Sequence, residues 1–358
     1  YGPEETIAYA NYFMPSRFGL MYRVLTELQR LAPDFVPRRT VDFGCGPATA
    51  AAAVSEVWGE QAQRYTGVDI SQSMLEAAKI VTRQRIRDCT FYSSNSEVMK
   101  RAATTGERFD LAISSFTLSE LPNDPSKRIA TQMLFELLDV GGYLVILEPG
   151  NPIGSHTVRT GRQYVLDIFN NVTRGGRTSA DIVSSTFFDS ETSGNQLPAQ
   201  FAKLGASVVA PCTHDRACPM QTGTWCSFSQ KVSHVNDRLC VYMVYSGVIR
   251  KSSEEKFSYV IIQKRPKPGV SVPEGGSSST GNRARNAGAA KEAVPASFGQ
   301  WLDRSPAPSP IKSKGHITLD VCTPEGRLVR NTVSRSNLHQ IPSLYTAMRK
   351  TTWGGLFP

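Results

Sequence analysis

Apolar residues recur at helical spacing in the N-terminal segment: Phe18, Met21, Val24, Leu25, Leu28 and Leu31 share one face of residues 16–31. A second helix is predicted over 4–11, and Pro33 and Pro37 close the segment. From residue 39 the pattern changes to short apolar runs separated by amphipathic stretches. Strands are predicted at 39–42, 64–69, 90–93, 109–115 and 142–148. Helices fall between them at 48–57, at 71–85 with Ser71 as cap, and at 126–138, ended by Gly141 and Gly142. This alternation implies a parallel sheet with right-handed crossovers, an α/β, doubly wound, Rossmann-like fold.

Beyond Gly150, residues to 171 read as a helix rich in polar and basic side chains, among them His156, Arg159 and Arg162. Residues 172–200 read as a helix and loops, and 206–210 as a strand. Residues 224–232 and 256–264 are expected to pair as an antiparallel hairpin completing the sheet, with 233–255 as a lengthened connection. Composition then shifts to Pro, Gly, Ser, Ala and Asn over 266–297. Such a segment buries too little apolar area to offset its ordering entropy, which predicts a flexible linker. Order resumes at Trp301 and 306–314, and alternating runs on either side of Thr323, Pro324, Glu325 and Gly326 predict a β-hairpin before an aromatic, basic tail over 345–358. The predicted units are a helical segment 1–37, an α/β domain 38–265, a linker 266–297 and a C-terminal extension 298–358.

Composition narrows the class without naming a function. The 358 residues are 40% hydrophobic and 20% charged, ordinary for a globular chain. No apolar run approaches the roughly 20 residues a membrane helix needs; residues 239–249 come nearest, so no membrane partner is expected. The chain opens at Tyr1 without a methionine or signal-like run, read as a processed N-terminus that leaves room for a removed transit peptide. A net charge of +9 favours a polyanionic partner. Seven cysteines, an odd number spread over a long chain, fit a reducing compartment better than a disulfide framework.

Two places carry candidate chemistry. The first strand ends at Asp42 and runs into Gly44, Cys45 and Gly46, and Asp69 ends the second strand about 20 residues on. Glycines let backbone approach a ligand, and a carboxylate at that spacing accepts ribose hydroxyls. Ile70 and Ser115, at the ends of the second and fourth strands, complete the candidate cofactor set. The second place is the loop 211–230, where Cys212, Cys218 and Cys226 are separated by five and seven residues among proline, glycine and polar side chains. Three thiolates are one short of a zinc or iron–sulfur site. Cys45 and Cys89 read as packing residues and Cys240 begins an apolar run, whereas Cys322 sits at the C-terminal hairpin turn and is the preferred fourth ligand. His214, between two of the cysteines, reads either as a ligand or as a group behind one.

With Glu148, Pro149 and Gly150 after the fifth strand, the glycine loop resembles that of class I S-adenosylmethionine-dependent methyltransferases, with Ala48 where the third glycine usually stands. The cysteine motif around Pro211–Pro219 and Trp225–Gln230, the stretches 255–260 and 315–326, and the Trp353-containing tail are similar to a narrower family. These are the mitochondrial ribosomal small-subunit proteins known as methyltransferase-like protein 17 and its fungal counterparts. That resemblance covers the chain except 233–254 and 266–297. It implies a [4Fe–4S] cluster held by Cys212, Cys218, Cys226 and Cys322, a role in small-subunit assembly, and the mitochondrial matrix as location. Zinc accepts the same four thiolates, and spacing alone does not separate the two.

The implied partners are mitochondrial small-subunit rRNA, ribosomal proteins and other assembly factors. Arg327, Arg330, Arg335, Arg349 and Lys350, interleaved with Tyr345, Trp353 and Phe357, suit phosphates and unpaired bases. Three functional readings stand: an assembly factor binding S-adenosylmethionine structurally, an active rRNA methyltransferase, and a sensor whose cluster loss releases its partner. At the fourth strand end, Phe116 is the candidate to stack on a base and Glu120 the candidate base for transfer chemistry.

Overall fold

A computed structural model describes residues 1–170, 203–220, 224–233, 252–267, 311–313 and 315–334. Two helices lead, α1 (Pro3–Tyr12) and α2 (Met14–Leu31), the second burying Leu20, Met21, Val24, Leu25 and Leu28. Next come β1 (Arg39–Phe43), α3 (Thr49–Trp58), β2 (Arg64–Val68), α4 (Gln72–Thr82), β3 (Asp88–Tyr92), α5 (Asn95–Thr105), β4 (Phe109–Ser115), α6 (Asp124–Leu137), β5 (Leu138–Pro149) and α7 (Pro152–Phe169). The sheet closes with β6 (Leu204–Ala210), β7 (Phe228–Ser233) and β8 (Ser252–Pro266). Its order is β3-β2-β1-β4-β5-β8-β6, parallel from β3 to β5 and antiparallel at β8. This is the doubly wound arrangement expected from the alternation, and the antiparallel β8 agrees with the class I methyltransferase-like fold that the glycine-loop resemblance implies.

The sheet is buried on both faces. Leu111 and Ile113 of β4, Val145 and Leu147 of β5 and Ile261 of β8 pack against α2 and α3. Their alternating neighbours Ala112, Leu144, Ile146, Val260 and Ile262 pack against α6 and α7, where Phe135 meets Phe169 at 4.6 Å between ring centroids. Period-two alternation with both sets apolar is what makes these strands read as continuous hydrophobic runs. A three-stranded sheet lies apart, β9 (Ile311–Ser313), β10 (His316–Cys322) and β11 (Leu328–Ser334), with β10 and β11 forming the predicted hairpin.

Several expectations need correction. Pattern alone leaves 94–108 unassigned, yet α5 is there, capped by the Ser94 hydroxyl and burying only Val98 and Ala102 on a polar helix. Helix α6 does not end at Gly141 and Gly142; both lie in β5, near where pairing with β4 shifts register. Its last carbonyls are satisfied instead by the buried Lys264 ammonium, which donates to Phe135, Glu136 and Leu138 oxygens at 3.2, 3.1 and 2.7 Å. The last hairpin is also differently paired. β7 meets residues 252–257 of β8, while 257–263 pair with β5 and 261–266 with β6. β8 therefore enters the sheet between β5 and β6, and β7 extends the same edge as β6. The sequence expectations for 172–200, Cys240, most of the 233–255 connection and of the 266–297 linker, Trp301 and the tail lie outside the described residues. Among the described residues no helix is long and apolar enough to cross a membrane.

The parallel order puts the ends of β1, β2, β4, β5 and β6 along one edge, where ligands bind in doubly wound sheets. Glu148 stands there fully buried, its Oε1 accepting the Leu118 N–H at 2.9 Å and so fixing the short 3-10 turn Leu118–Glu120 after β4. Burial pushes its pKa up to about 7. An acid raised in the folded state stabilises it fully below the unfolded pKa, near 4.5, and loses that contribution as pH rises through 7. Glu148→Gln keeps the acceptor for Leu118 and removes the titration. Urea midpoints at pH 5 and pH 8 are expected to diverge less in the variant, by on the order of 3 kcal/mol; identical pH dependence in both proteins rejects the assignment.

The first turn of α7 is seated as closely. A Cβ on Gly154 would stand 2.1 Å from the Pro149 carbonyl oxygen, and the Gly154 N–H is already held by the Asn151 side chain at 2.8 Å. Gly154→Ala must push α7 off the end of β5. A loss of about 2–3 kcal/mol in urea unfolding is expected, and a change within about 0.5 kcal/mol would show that this approach is not tight.

Candidate metal centre and cofactor loop

The cysteine loop leaves the end of β6 and is held down by one face of α7. Ser155, Val158, Arg159 and Arg162 recur at i, i+3, i+4 and i+7, so they form a single stripe. The Ser155 hydroxyl accepts the Cys226 N–H at 3.2 Å, Arg159 Nη1 donates to the Met220 carbonyl at 2.9 Å, and Arg162 Nη2 donates to the His214 carbonyl at 2.6 Å. Ser258 of β8 donates to the Cys226 carbonyl at 2.6 Å, and Trp225 Nε1 to that of Gly150 at 3.2 Å. On the other side Asp215 accepts the Val208 N–H at 2.6 Å and the Ser207 hydroxyl at 3.1 Å.

Cys212, Cys218, Cys226 and Cys322 line one cavity, together with the α7 stripe and Ser258, Tyr259 and Val260 of β8. The hairpin turn reaches the loop beside it, since a Cβ on Gly326 would meet Arg216 at 3.0 Å. His214 Nε2 lies 3.2 Å from Cys322 Sγ. Burial, reinforced by the Arg162 charge, lowers the His214 pKa. The ring nitrogen and the sulfur are within hydrogen-bonding distance, and the tautomer decides which of them donates. Burial and the neighbouring thiols push Cys226 far above its ordinary value and Cys322 up to about 12. Four thiolates do not coexist here without compensating positive charge.

Two features of the site bear on the metal that the resemblance implies. Arg162 is 2% exposed, yet its Nε and Nη1 have no hydrogen-bond partner, nor has Nε of Arg159. Unpartnered guanidinium N–H groups beside four thiols fit an anionic, thiolate-bound group. Among the described residues, however, no group of three or more His, Cys, Asp or Glu side chains is arranged to hold a metal ion.

The glycine loop is shaped by its own contacts. Gly44 has φ +70°, and the space a Cβ would take is filled by Thr117, 2.2 Å from that position. The missing side chain of Gly44 thus makes room for Thr117. Gly46, at φ +51°, has nothing within 4 Å of its missing Cβ and does leave the backbone open. Ala48 adopts the left-handed conformation at φ 59°, where the usual pattern has glycine. Asp69 accepts the Gly46 N–H at 2.9 Å and the Ser71 N–H at 2.8 Å, so it clamps the loop as well as facing outward from β2. Asp42 is buried, takes the Tyr65 hydroxyl and is pushed up to about 7 by burial. Cys45 packs in the core beside Gly67, Ile70 is 94% exposed, and the Ser115 carbonyl accepts the Thr117 hydroxyl at 3.1 Å.

At the transfer end, Arg17 stacks over Phe116 with its guanidinium carbon 3.3 Å from the ring centroid. The face that would take a base is covered by this chain's own α2. Glu120 is partly buried and its pKa is raised by burial and by Asp69. Arg327 and Arg330 are exposed on the hairpin, while Arg335, Tyr345, Arg349, Lys350, Trp353 and Phe357 lie outside the described residues. Sequence reading noted Arg159 and Arg162 only as basic helix residues; their stripe with Ser155 and Val158 was the available signal. His156, noted with them, pairs instead with Asp124 at 2.9 Å.

Comparison with known proteins places the chain. It is 25% identical over 342 residues to the human mitochondrial ribosome assembly protein METTL17, covering 95% of this chain and 60% of that protein. It is 24% identical to the Saccharomyces cerevisiae mitochondrial ribosome assembly protein RSM22, covering 95% and 65%. A Schizosaccharomyces pombe Rsm22-cox11 tandem protein is 27% identical, with 99% of this chain and 43% of that protein covered. The chain thus spans less than two thirds of these relatives' length. Among solved structures, the N-methyltransferase NodS from Bradyrhizobium japonicum matches 35% of this chain and 59% of its own at 22% identity and a TM-score of 0.27. The amino pentose methyltransferase CalS10 from Micromonospora echinaspora matches 42% and 58% at 19% identity and 0.31. At these scores the structural likenesses add nothing to the topology. The family model described as mitochondrial small ribosomal subunit Rsm22 matches residues 3–181 and 195–358, and the chain belongs to that family.

Proposed function

We propose that this chain is an assembly protein of the mitochondrial ribosomal small subunit, working in the matrix and binding small-subunit rRNA alongside ribosomal proteins and other assembly factors. The family match over nearly the whole chain carries this reading. The formal charge of +9 and the exposed Arg327 and Arg330 support a phosphate-rich partner. The Arg17–Phe116 stack favours assembly over methyl transfer, because the candidate acceptor platform is already covered.

In this reading Cys212, Cys218, Cys226 and Cys322 hold a [4Fe–4S] cluster. What supports a thiolate-bound group is the cavity the four thiols share; the family resemblance favours a cluster, and zinc would accept the same four. Bound there, the group supplies structural cross-linking: its binding free energy becomes folding free energy. The chain's own part is to present the sulfurs. The α7 stripe fixes the loop backbone, and His214 holds the Cys322 sulfur at 3.2 Å. The loop and the hairpin are joined although 95 residues separate Cys226 from Cys322. The open backbone at Gly46, the Asp69 carboxylate and exposed Ile70 support S-adenosylmethionine as a second, structural ligand. Asp42, Gly44, Cys45 and Ser115 shape its loop from behind.

Four measurements test these assignments. Anaerobically purified protein is expected to contain iron and acid-labile sulfide in equal amounts and no zinc; zinc without iron overturns the cluster. Limited proteolysis of Cys322→Ser is expected to cut the C-terminal segment faster while the sheet stays folded, and unchanged protection beyond residue 298 rejects the clasp. Ile70→Asp, at a 94% exposed position, is expected to weaken S-adenosylmethionine binding about tenfold in calorimetry, about 1.4 kcal/mol, with unfolding unaltered. Equal affinity in both proteins removes Ile70 from the site. Depleting the protein from cells and following small-subunit particles by sedimentation tests the assembly role; normal mature particles refute it.

A further inference from the structure

Arg162 is the most heavily buried charge beside the cysteines, and nothing in the proposed ligand set uses it. It is 2% exposed, spends one nitrogen on the His214 carbonyl at 2.6 Å, and leaves Nε and Nη1 unpartnered. Arg159, one position short of a helical turn before it, spends Nη1 on the Met220 carbonyl and leaves Nε unpartnered. Among the described residues neither forms an ion pair with a carboxylate. Both line the cavity of the four thiols. A guanidinium desolvated without an anion is costly, and among the described residues no carboxylate lines this cavity.

The ligand set has the opposite imbalance. Four thiolates carry more negative charge than a zinc ion or a cluster core carries positive, so the assembled group is a net anion in a cavity that excludes much of the water. Arg159 and Arg162 line the same cavity as the four sulfurs, so both charges face the group the thiolates would hold. The backbone contact from Arg162 to His214 also links the charge to the ring that touches Cys322, the sulfur arriving from the hairpin. One helix face thereby meets both the charge and the position of the fourth ligand.

We propose that Arg159 and Arg162 are the counter-charges of the thiolate-bound group, and that Arg162, through His214, positions the Cys322 sulfur. The inference rests on the cysteine site of the proposed function. Its electrostatic consequence has a definite sign. One-electron reduction adds a negative charge to the group, and a fixed cation nearby stabilises that state more than the oxidised one. The two arginines therefore raise the reduction potential, as well as slowing release of the group.

The test uses the full chain purified anaerobically, as wild type, Arg162→Gln, Arg162→Lys and Arg159→Gln. Iron and sulfide are counted, iron release to an excess chelator is timed, and the midpoint potential is read from visible absorbance during titration with dithionite, which supplies the electron. Arg162→Gln is expected to release iron about tenfold faster and to shift the reduction equilibrium about tenfold toward the oxidised state, about 59 mV lower for a one-electron couple. Arg162→Lys restores the potential but not the release rate, because an ammonium keeps the charge without the fork that binds the His214 carbonyl. Should Arg162→Gln fail to fold by circular dichroism, the half-buried Arg159→Gln carries the test and is expected to lower the potential in the same direction. Wild type without iron and sulfide overturns the cysteine site, and this inference with it. A loaded wild type whose charge-removing variants keep both potential and release rate overturns the inference alone.

Discussion

A loop without secondary structure can lie against a sheet only if something answers its backbone groups. Here that task falls on the stripe of α7, which takes one N–H and two carbonyls of the cysteine loop within about two turns of helix. The helix can do this because it is itself pinned at both ends. Asn151 caps it against the end of β5, and Asn170 beyond its last turn exchanges two hydrogen bonds with Ala206 of β6, at 2.9 and 3.0 Å. Displace α7 and the loop loses its partners, the cysteines lose their common cavity, and the hairpin loses the surface it turns against.

The carboxyl edge of the sheet concentrates everything else that is chemically unusual. Asp42, Asp69, Phe116 and Glu148 end or follow β1, β2, β4 and β5, and the cysteine loop follows β6. Two of these carboxylates are buried and held near neutrality by desolvation, with a guanidinium stacked on Phe116 between them and the N-terminal helices. That edge is held by its own contacts. Gly44 makes room for Thr117, Asp69 ties down Gly46 and Ser71, and α2 supplies the lid over Phe116.

The sheet was legible in the sequence because its strands are short, apolar and punctuated, and because α2, α3 and α4 carry clear stripes. Helix α5 was not, since a polar helix burying two residues has almost no periodic signal. The end of α6 was misjudged because a glycine pair is the usual stop, whereas Lys264, more than a hundred residues away, does the capping. Local pattern cannot show a partner so distant. The cysteines were legible as a loop of three plus a candidate fourth, since thiols are rare enough to be counted. The arginines behind them were not, because a charged residue on a helix reads as solvated until the fold turns that face inward.

The insertion of β8 between β5 and β6 bears on the order in which the chain can fold. β5 is finished at Pro149, but its neighbour begins only at Ser252, so one edge of the parallel half stays unpaired until about a hundred more residues have emerged. An open, apolar strand edge is a template for unwanted pairing. Until β8 is made, the β5 edge that it covers is such a template. The molecule becomes self-sufficient only when β8 arrives to cover β5 and seat β6 and β7 along its far side.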